Sequence, residues 1–297
     1  MTLQQRLTQF MQAHGVSQNQ VAKGIGKSAA AVNQWLQGKY AGDNEALEQA
    51  INAYLNREQG RLAIGRLAKQ WVETATAKRM LGLLTAAHRD RENALLYGQA
   101  GMGKTTALRH YAAEHPDVVL IEAMPTYTPA VVLKTIAKKL GIPVSGSMND
   151  INEAILSKLT DSGRMIVVDE AENLSTKSLE ILRRLHDNAE VGLVLAGMPR
   201  LRSNLMGRHG ELAQLFSRVG YVLELPESMA DKELAQICRQ TLPELSEVLC
   251  GKMVQHAGGS PRRLWKMMTI ADRTGKETGD GINADMLEQL DKMLLKN

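Results

Sequence analysis

The sequence predicts an α/β fold, with a parallel β-sheet at its centre and helical segments before and after it. Short apolar runs, with the length and content of buried strands, occur near residues 94–97, 118–123, 165–169, 191–196 and 220–225. Segments with helical periodicity separate these runs, among them residues 129–140, 149–159 and 177–189. Strands that alternate with helices favour a parallel sheet covered by helices on both faces.

Four parts are predicted along the 297 residues, a length typical of about two domains. Residues 1–57 have helical periodicity and form a small helical domain. Residues 58–74 carry alternating charge and connect this domain to the α/β core, which spans residues 75–225. Residues 226–297 are helical without a strand pattern, and they form a small lid domain.

The composition is that of an ordinary globular protein, with 44% hydrophobic and 23% charged residues. The net charge of +4 is compatible with a nucleic-acid partner, but many proteins without one are as basic. Cys238 and Cys250 predict buried thiols in a reducing compartment rather than a disulfide. The N-terminus has no apolar leader, and nowhere do about 18 apolar residues run together. We therefore expect a cytoplasmic protein without a membrane partner.

Residues 98–105 read Gly-Gln-Ala-Gly-Met-Gly-Lys-Thr and match the phosphate-binding P-loop pattern. They follow an apolar run and precede a helix-like segment that starts at Thr106, in the order that a P-loop requires. Gly98, Gly101 and Gly103 allow a tight turn whose backbone N–H groups point at phosphates. The start of the following helix adds the positive end of its dipole.

The last two residues of this loop carry its chemistry. Lys104 is expected to reach the β- and γ-phosphates, and the hydroxyl of Thr105 is expected to bind Mg²⁺. Thr106, in the first turn of the helix, is a further predicted nucleotide contact. The pattern predicts binding of ATP or GTP together with Mg²⁺.

A second nucleotide-site pattern lies at residues 164–172, which read Arg-Met-Ile-Val-Val-Asp-Glu-Ala-Glu. Apolar residues running into two carboxylates predict a buried parallel strand with acids at its carboxyl end, where α/β sheets bind ligands. Asp169 is placed to bind Mg²⁺, and Glu170 is placed to orient or deprotonate the attacking water. Because two adjacent carboxylates can serve these two separate tasks, the pattern favours hydrolysis of the bound nucleotide over its mere storage.

Capping signals divide the first domain into helices near residues 3–14, 18–23, 29–37 and 43–55. Ser17 and Ser28 are the predicted N-caps of the second and third helices. The spacing of polar and apolar residues over 17–38 resembles the helix-turn-helix of phage repressor-like domains. This resemblance implies a core of Val21, Ala22, Ile25, Val32 and Leu36.

The same resemblance implies which side chains face the major groove of DNA, namely Ser28, Ala29, Ala30, Asn33 and Gln34. These side chains are small and mostly neutral, so they are poorly suited to reading sequence through arginine–guanine pairs. Weakly specific DNA binding is therefore expected. A small helical adaptor that binds protein instead of DNA is the alternative.

With these parts in place, the chain resembles the AAA+ ATPases. Arg218 lies just before the last core strand, where this family places an arginine finger that acts on the γ-phosphate of a neighbouring subunit. Arg262, in a Gly-Ser-Pro-Arg element, resembles the family's second sensor, which faces the nucleotide in the same subunit; Arg263 is the alternative. Met198 stands where many members carry a polar first sensor, so slow or stimulated hydrolysis is expected.

A narrower resemblance, over nearly the whole chain, is to the MuB family, the ATP-dependent target-DNA activators of Mu-like transposable phages. Five features of this chain occur in the same order in that family. They are the repressor-like domain with residues 38–44, the segment 72–76, the P-loop, Asp169-Glu170 and the Leu-Phe-Ser-Arg element at 215–218. The resemblance implies an ATPase that binds double-stranded DNA largely without sequence preference and forms homo-oligomers or filaments on it. It also implies that the protein delivers target DNA to a transposase and that the transposase in turn stimulates ATP hydrolysis. Both activities are expected in the cytoplasm of the host cell.

Two polar and basic stretches of the core are candidates for phosphate contacts within such an assembly. One contains Tyr127 and Lys134, and the other contains Arg200 and Arg202. An ordinary solvated helix surface is the alternative explanation for each stretch.

Three other functions stay open at this point. A loader of a replicative helicase shares every nucleotide-site residue, and stimulation by a transposase or by a helicase distinguishes the two. A transcriptional repressor with a vestigial ATPase core is disfavoured because Lys104, Asp169, Glu170 and Arg218 are all present. A purely structural filament protein is separable by whether ATP turns over.

Overall fold

In this computed structural model, residues 1–63, 67, 70–206 and 217–294 are described. Two predicted features lie partly outside the described residues. They are the connecting segment, at residues 64–66 and 68–69, and the Leu-Phe-Ser-Arg element, at Leu215 and Phe216. The chain divides into two compact units, of which one comprises Met1–Leu67 with Asp272–Gly281 and the other Ala68–Ala271 with Ile282–Asn297. The predicted division into four parts stays a prediction.

The first unit begins with four helices, α1 (Leu3–His14), α2 (Gln18–Ile25), α3 (Ala29–Leu36) and α4 (Asn44–Ala63). The hydroxyls of Thr2, Ser17 and Ser28 accept backbone N–H groups and cap the first three helices. Its buried apolar core comprises Leu7, Phe10, Val21, Ala22, Val32, Trp35, Leu47, Ile51, Tyr54 and Leu55. Ile25 and Leu36 pack against this core half-buried. Three of the five expected core residues are thus fully buried.

Helix α4 continues beyond its expected end at residue 55, to Ala63. Residues 56–59 read Asn-Arg-Glu-Gln and contain no proline or glycine, so nothing in this stretch ends the helix. The assignment of α2 and α3 to a helix-turn-helix stays a prediction.

The second unit contains one sheet of five parallel strands among its described residues. The strands are β1 (Asn93–Tyr97), β2 (Val118–Glu122), β3 (Met165–Asp169), β4 (Gly192–Gly197) and β5 (Val219–Glu224), in the spatial order β2-β3-β4-β1-β5. Strands β1, β3 and β4 are buried along their whole length, whereas edge strand β5 alternates between half-buried and exposed residues. The predicted α/β fold with a parallel sheet is confirmed, and each strand lies within about two residues of its expected position.

In this unit one helix precedes the first strand, and at least one helix lies between each strand and the next. They are α5 (Ala75–Asp90), α6 (Lys104–Glu114), α7 (Pro129–Lys139), α8 (Met148–Leu159), α9 (Thr176–Ala189) and α10 (Pro199–Met206). A one-turn 3₁₀ helix at Ala171–Asn173 follows β3. The main apolar core contains residues of β1–β4, such as Leu95, Ile121, Ile166 and Leu193, packed against α7, α8 and α9.

Four further helices follow β5, namely α11 (Asp231–Thr241), α12 (Glu247–Ala257), α13 (Pro261–Thr278) and α14 (Ala284–Met293). The buried carboxylate of Glu233 accepts hydrogen bonds from the backbone N–H of Thr76 (2.6 Å) and from its hydroxyl (3.1 Å), which ties α11 to the start of α5. The function of these helices as a lid stays a prediction. Within the described ranges, no helix is long and apolar enough to span a lipid bilayer.

Candidate nucleotide site

The order of the strands brings two loops of the second unit to one edge of the sheet. Because all five strands are parallel, their carboxyl ends meet at the same edge. Strand β4 lies between β1, which leads into the predicted P-loop, and β3, which ends at Asp169. The end of β4, at Gly197 and Met198, therefore lies between the phosphate-binding loop and the acidic residues.

The P-loop has a backbone conformation that its glycines make possible. Gly101 and Gly103 have φ angles of +86° and +90°, in the left-handed region that other residues rarely adopt. Gly103 is the N-cap of α6, and Lys104 is the first residue of that helix. The ammonium of Lys104 donates hydrogen bonds to the backbone carbonyls of Gly98 (2.6 Å) and Gln99 (2.9 Å). The loop is thus closed by the side chain that is expected to bind phosphate.

Lys104 is 9% exposed, which is unusual for a lysine. Burial lowers the pKa of its ammonium below the ordinary value, because the charged form loses solvation. The negative charges of three carboxylates raise this pKa, and their effects decrease in the order Glu172, Asp169 and Glu170. The positive charge of Arg262 lowers it further. The carboxylates keep a positive charge favourable in a buried position.

The acidic end of β3 has a constrained backbone. Asp169 is 3% exposed, and its Oδ1 accepts a hydrogen bond from the backbone N–H of Glu170 (2.9 Å). Glu170 has a φ angle of +53°, a left-handed conformation that costs a non-glycine residue about 1–3 kcal/mol. The backbone N–H of Asn173 donates to the Glu170 carbonyl (2.9 Å), which helps to hold this turn. Strain of this kind is typical of functional sites.

A polar network extends from Glu170 to α10. The Asn173 amide nitrogen donates to Oε2 of Glu170 (3.1 Å) and to the carbonyl of Ala123 (3.2 Å). The guanidinium of Arg200, the second residue of α10, donates to the Asn173 oxygen (3.0 Å) and lies 3.9 Å from Oε1 of Glu172. Arg200 thus contacts the loop that carries the predicted catalytic acid.

A cavity of about 680 Å³ joins the P-loop to the acidic loop. It is lined by Gly101, Gly103, Lys104, Thr105, Thr106, Asp169, Glu170 and Arg262, so the structure brings these predicted nucleotide residues together. The hydroxyl of Thr105 and the carboxylate of Asp169 are oxygen ligands of the kind that Mg²⁺ prefers, and both residues line this cavity.

The cavity is also lined by residues that the sequence patterns did not reveal. Trp71, Val72, Met229 and Trp265 form an apolar part of its wall, and Glu172 lies with the acidic loop. The ring of Trp71 stacks on His110, with centroids 4.1 Å apart. Trp71 and Trp265 are two of the three tryptophans in the chain. Because tryptophan is rare in this sequence, these positions could have been noted as candidate aromatic contacts.

The two candidate second-sensor arginines have different surroundings. Arg262 lines the cavity, and a Cβ placed on Gly101 would lie 2.9 Å from its Cβ. Arg263 is buried, and it donates to the carbonyls of His256 (2.8 Å) and Leu294 (2.9 Å) and to Oδ1 of Asp291 (2.6 Å). Arg263 therefore ties α13 to the end of α14, whereas Arg262 faces the P-loop.

Arg218, the predicted arginine finger, does not line the cavity of its own chain. Its guanidinium donates to Oδ1 of Asp187 on α9 (2.9 Å), and its side chain is 56% exposed. Asp187 also binds Arg183, which is largely buried. Arg218 is thus accessible from outside the chain but held at one of its nitrogens.

The candidate DNA contacts are dispersed. In α3, Asn33 and Gln34 are exposed, and Ser28 uses its hydroxyl to cap the helix. In the second unit, Lys134 and Arg202 are exposed on α7 and α10. Tyr127 is half-buried and packs against the main core, and Arg200 contacts Asn173, so each of these also has a structural contact.

Residues 87–205 match the AAA domain family. The Mu-like prophage FluMu DNA transposition protein B of Haemophilus influenzae is 31% identical to this chain over 224 residues, which cover 74% of this chain and 78% of that protein. The ATP-dependent target DNA activator B of Escherichia phage Mu is 29% identical over 283 residues, 91% of this chain and 88% of that protein.

Among solved structures, the Aeropyrum pernix ORC2 protein is similar, with a TM-score of 0.59 at 18% identity, over 80% of this chain and 72% of that chain. At this identity the similarity shows the fold alone. Together with the sequence relatives, it confirms the expected AAA+ fold of the core. The chain is an ATPase with an AAA domain, and it belongs to the family of Mu-like DNA transposition B proteins.

Proposed function

We propose that this protein is an ATP-dependent DNA-binding ATPase that assembles on target DNA, delivers it to a transposase and stimulates strand transfer. The observation that carries the proposal is the convergence of Lys104, Asp169 and Glu170 on one cavity, in a chain of the transposition B family. The phage Mu relative is named a target DNA activator, which supports the same role here.

In the proposed site, the triphosphate lies along the P-loop. Lys104 exchanges its bonds to the Gly98 and Gln99 carbonyls for phosphate oxygens, which are stronger acceptors because they are charged. Thr105 and Asp169 hold Mg²⁺, which neutralises phosphate charge when it is bound. The apolar wall with Trp71 and Trp265 suits a nucleobase.

In the proposed hydrolysis, Glu170 orients the attacking water and accepts its proton. Arg262 faces the phosphates from the same chain, because it lines the cavity beside Gly101 whereas Arg263 is committed to α14. Met198, at the end of β4, offers no polar side chain to the γ-phosphate, which supports slow hydrolysis in the absence of a partner.

Arg218 acts in the cavity of a neighbouring subunit. Its exposure supports this role, and its bond to Asp187 must break when the neighbour's phosphate replaces that carboxylate. Turnover then requires a homo-oligomer, and DNA promotes it by collecting subunits along one duplex.

In the proposed assembly, affinity for DNA comes from phosphate contacts summed over many subunits. The exposed lysines and arginines of α7 and α10 support phosphate contacts, and the neutral surface of α3 supports binding without base readout.

A strand-transfer assay with the transposase of the same element tests this function. Wild-type protein with ATP is expected to increase strand transfer into unrelated duplexes, and Lys104→Ala protein is expected to have no effect. A helicase loader would instead stimulate a replicative helicase, and a repressor would bind one operator without ATP turnover. Either result, without an effect on strand transfer, contradicts the proposal.

A further inference from the structure

Glu233, on α11, has a buried carboxylate that the roles assigned above do not use. The residue is 7% exposed and is not among those that line the nucleotide cavity. Its Oε1 accepts the backbone N–H of Thr76 at 2.6 Å, and its Oε2 accepts the hydroxyl of the same residue at 3.1 Å. Thr76 is also buried, and it lies 157 positions earlier in the chain. Hydrogen bonds to a carboxylate are stronger than those to a neutral acceptor, so this contact fixes α11 on the start of α5.

The start of α5 does not supply this acceptor itself. The N-cap residue, Thr74, uses its hydroxyl to accept the backbone N–H of Ala77 (3.1 Å). The N–H of Thr76 belongs to the first turn, where backbone donors have no partner within the helix. That turn contains no acidic residue. Glu233 therefore provides an acceptor from a distant helix, and the positive end of the α5 dipole favours its negative charge.

The segment that Glu233 holds forms part of the wall of the nucleotide cavity. Four residues of this segment, residues 71–77, line the cavity, namely Trp71, Val72, Thr74 and Ala77. Ile237, one turn after Glu233 on α11, lines the cavity as well. The side-chain amide of Gln236 donates to the carbonyl of Glu73 (3.4 Å), which is a second bond between the same two elements. One face of α11 thus holds the segment and continues the cavity wall.

The other end of the segment is packed on the helix that follows the P-loop. The ring of Trp71 stacks on His110 of α6. His110 lies six residues after Lys104, which is about 9 Å along the helix axis. The indole therefore lies beyond the proposed phosphate site, at the end of the cavity that is left for the nucleoside.

We propose that Glu233 is a positioning residue for the nucleobase pocket, which holds residues 71–77 on α11 so that Trp71 and Val72 are in place before the nucleotide binds. This inference rests on the proposed nucleotide site. Glu233 acts through Thr76 and does not touch the nucleotide. Without its two hydrogen bonds, the segment is ordered only when the nucleotide binds, and the entropy lost in ordering it weakens the affinity. The phosphate contacts of Lys104 are unaffected.

The test measures KM and kcat for ATP hydrolysis by the full chain on saturating duplex DNA, for Glu233→Ala and for the wild type. We expect KM to rise about tenfold to hundredfold while kcat changes less than about threefold, because binding common to the ground and transition states is lost. The matched control is Glu247→Ala, since Glu247 pairs with Arg239 between α12 and α11 and its side chain is 71% exposed. Its KM is expected to equal the wild-type value. An unchanged KM in Glu233→Ala, or a fall in kcat at constant KM, overturns the proposal.

A milder pair of variants decides the outcome if Glu233→Ala does not fold. Thr76→Val removes only the hydroxyl donor and is expected to raise KM about threefold to tenfold. Thr76→Ser keeps that donor, so its KM is expected to stay close to the wild-type value. Equal KM values in these two variants overturn the proposal.

A probe without a base separates the nucleobase pocket from the phosphate site. The probe is inorganic tripolyphosphate with Mg²⁺, used as an inhibitor of ATP hydrolysis. Its inhibition constant is expected to differ by less than about twofold between Glu233→Ala and the wild type, because it uses the P-loop alone. A loss of tripolyphosphate affinity as large as the rise in KM for ATP would show that the whole site is disturbed, and it overturns the proposal.

The behaviour of Lys104→Ala distinguishes this inference from the proposed nucleotide site. Loss of ATP binding in Lys104→Ala, together with a wild-type KM in Glu233→Ala, overturns the role of Glu233 alone. Normal ATP binding in Lys104→Ala overturns the proposed site, and the role of Glu233 with it.

Discussion

The nucleotide cavity and the candidate DNA contacts differ in how their residues are held. In the cavity, Lys104 and Asp169 are buried, and each is fixed by hydrogen bonds to or from nearby backbone groups. The DNA candidates, such as Gln34 and Lys134, are exposed and belong to separate elements in separate units. The contrast shows that the predicted phosphate-binding residues are held in place within one chain, whereas the proposed DNA-binding surface would require the alignment of many chains.

The largest effect is expected from Lys104→Ala. The variant loses the ammonium that closes the P-loop and that we propose binds phosphate. ATP binding should therefore fall below detection, and ATP-dependent assembly should disappear with it. Titration with a fluorescent ATP analogue measures the first effect, and light scattering on DNA measures the second. Lys158→Ala, which removes an exposed lysine of α8, is the control. Normal ATP affinity in the Lys104 variant would refute the preorganised cavity.

Arg218→Ala should reduce turnover in assembled protein by about 10³-fold or more, because we propose that its charge acts on a neighbour's γ-phosphate. ATP binding by the isolated chain should not change, since Arg218 does not line its own cavity. Mixing this variant with Lys104→Ala protein should restore some activity, provided that the Lys104 variant enters mixed assemblies. Full ATPase activity in a monomeric protein contradicts this role.

Glu170→Gln should slow hydrolysis by about 10²–10⁴-fold while ATP still binds. The ATP-bound state is then long-lived, so complexes with DNA should dissociate more slowly than those of the wild type. Phosphate release and the lifetime of DNA complexes measure the two effects. Hydrolysis at the wild-type rate would show that another group is the catalytic base.

The smallest effect is expected among the candidate DNA contacts, from the double substitution Asn33→Ala and Gln34→Ala. These exposed amides lie on the α3 surface that is predicted to face the major groove. Their loss should weaken binding to all duplexes by a similar factor, less than about tenfold, because no bidentate base contact is expected. Competition between duplexes of different sequence checks this, and a selective loss for one sequence contradicts it.

The fold, and the positions of Lys104 and Asp169 within it, could be predicted because their signals are local. The P-loop spacing fixes Lys104 at the start of a helix, and the apolar run before Asp169 fixes that acid at the end of a strand. Parallel pairing then brings both to one edge of the sheet.

The remaining features depend on contacts between residues that are distant in sequence. Glu172 follows Asp169 closely, but its burial depends on Gly197, which lies one strand away. The bond of Arg218 to Asp187 spans 31 positions, and Arg263 meets Asp291 across 28 positions. No periodicity or local spacing encodes such pairs, so the sequence alone left Arg262 and Arg263 as alternatives.

The most direct test of ATP-dependent, sequence-independent assembly is the affinity for several unrelated duplexes, measured across a salt series with and without ATP. The expected result is a parallel decrease of log affinity with log salt for every duplex, with a slope of about −0.9 for each phosphate contact, and a sharper binding curve when ATP is present. A single duplex bound about a thousandfold more tightly than the others, with or without ATP, would contradict the account and favour a site-specific repressor.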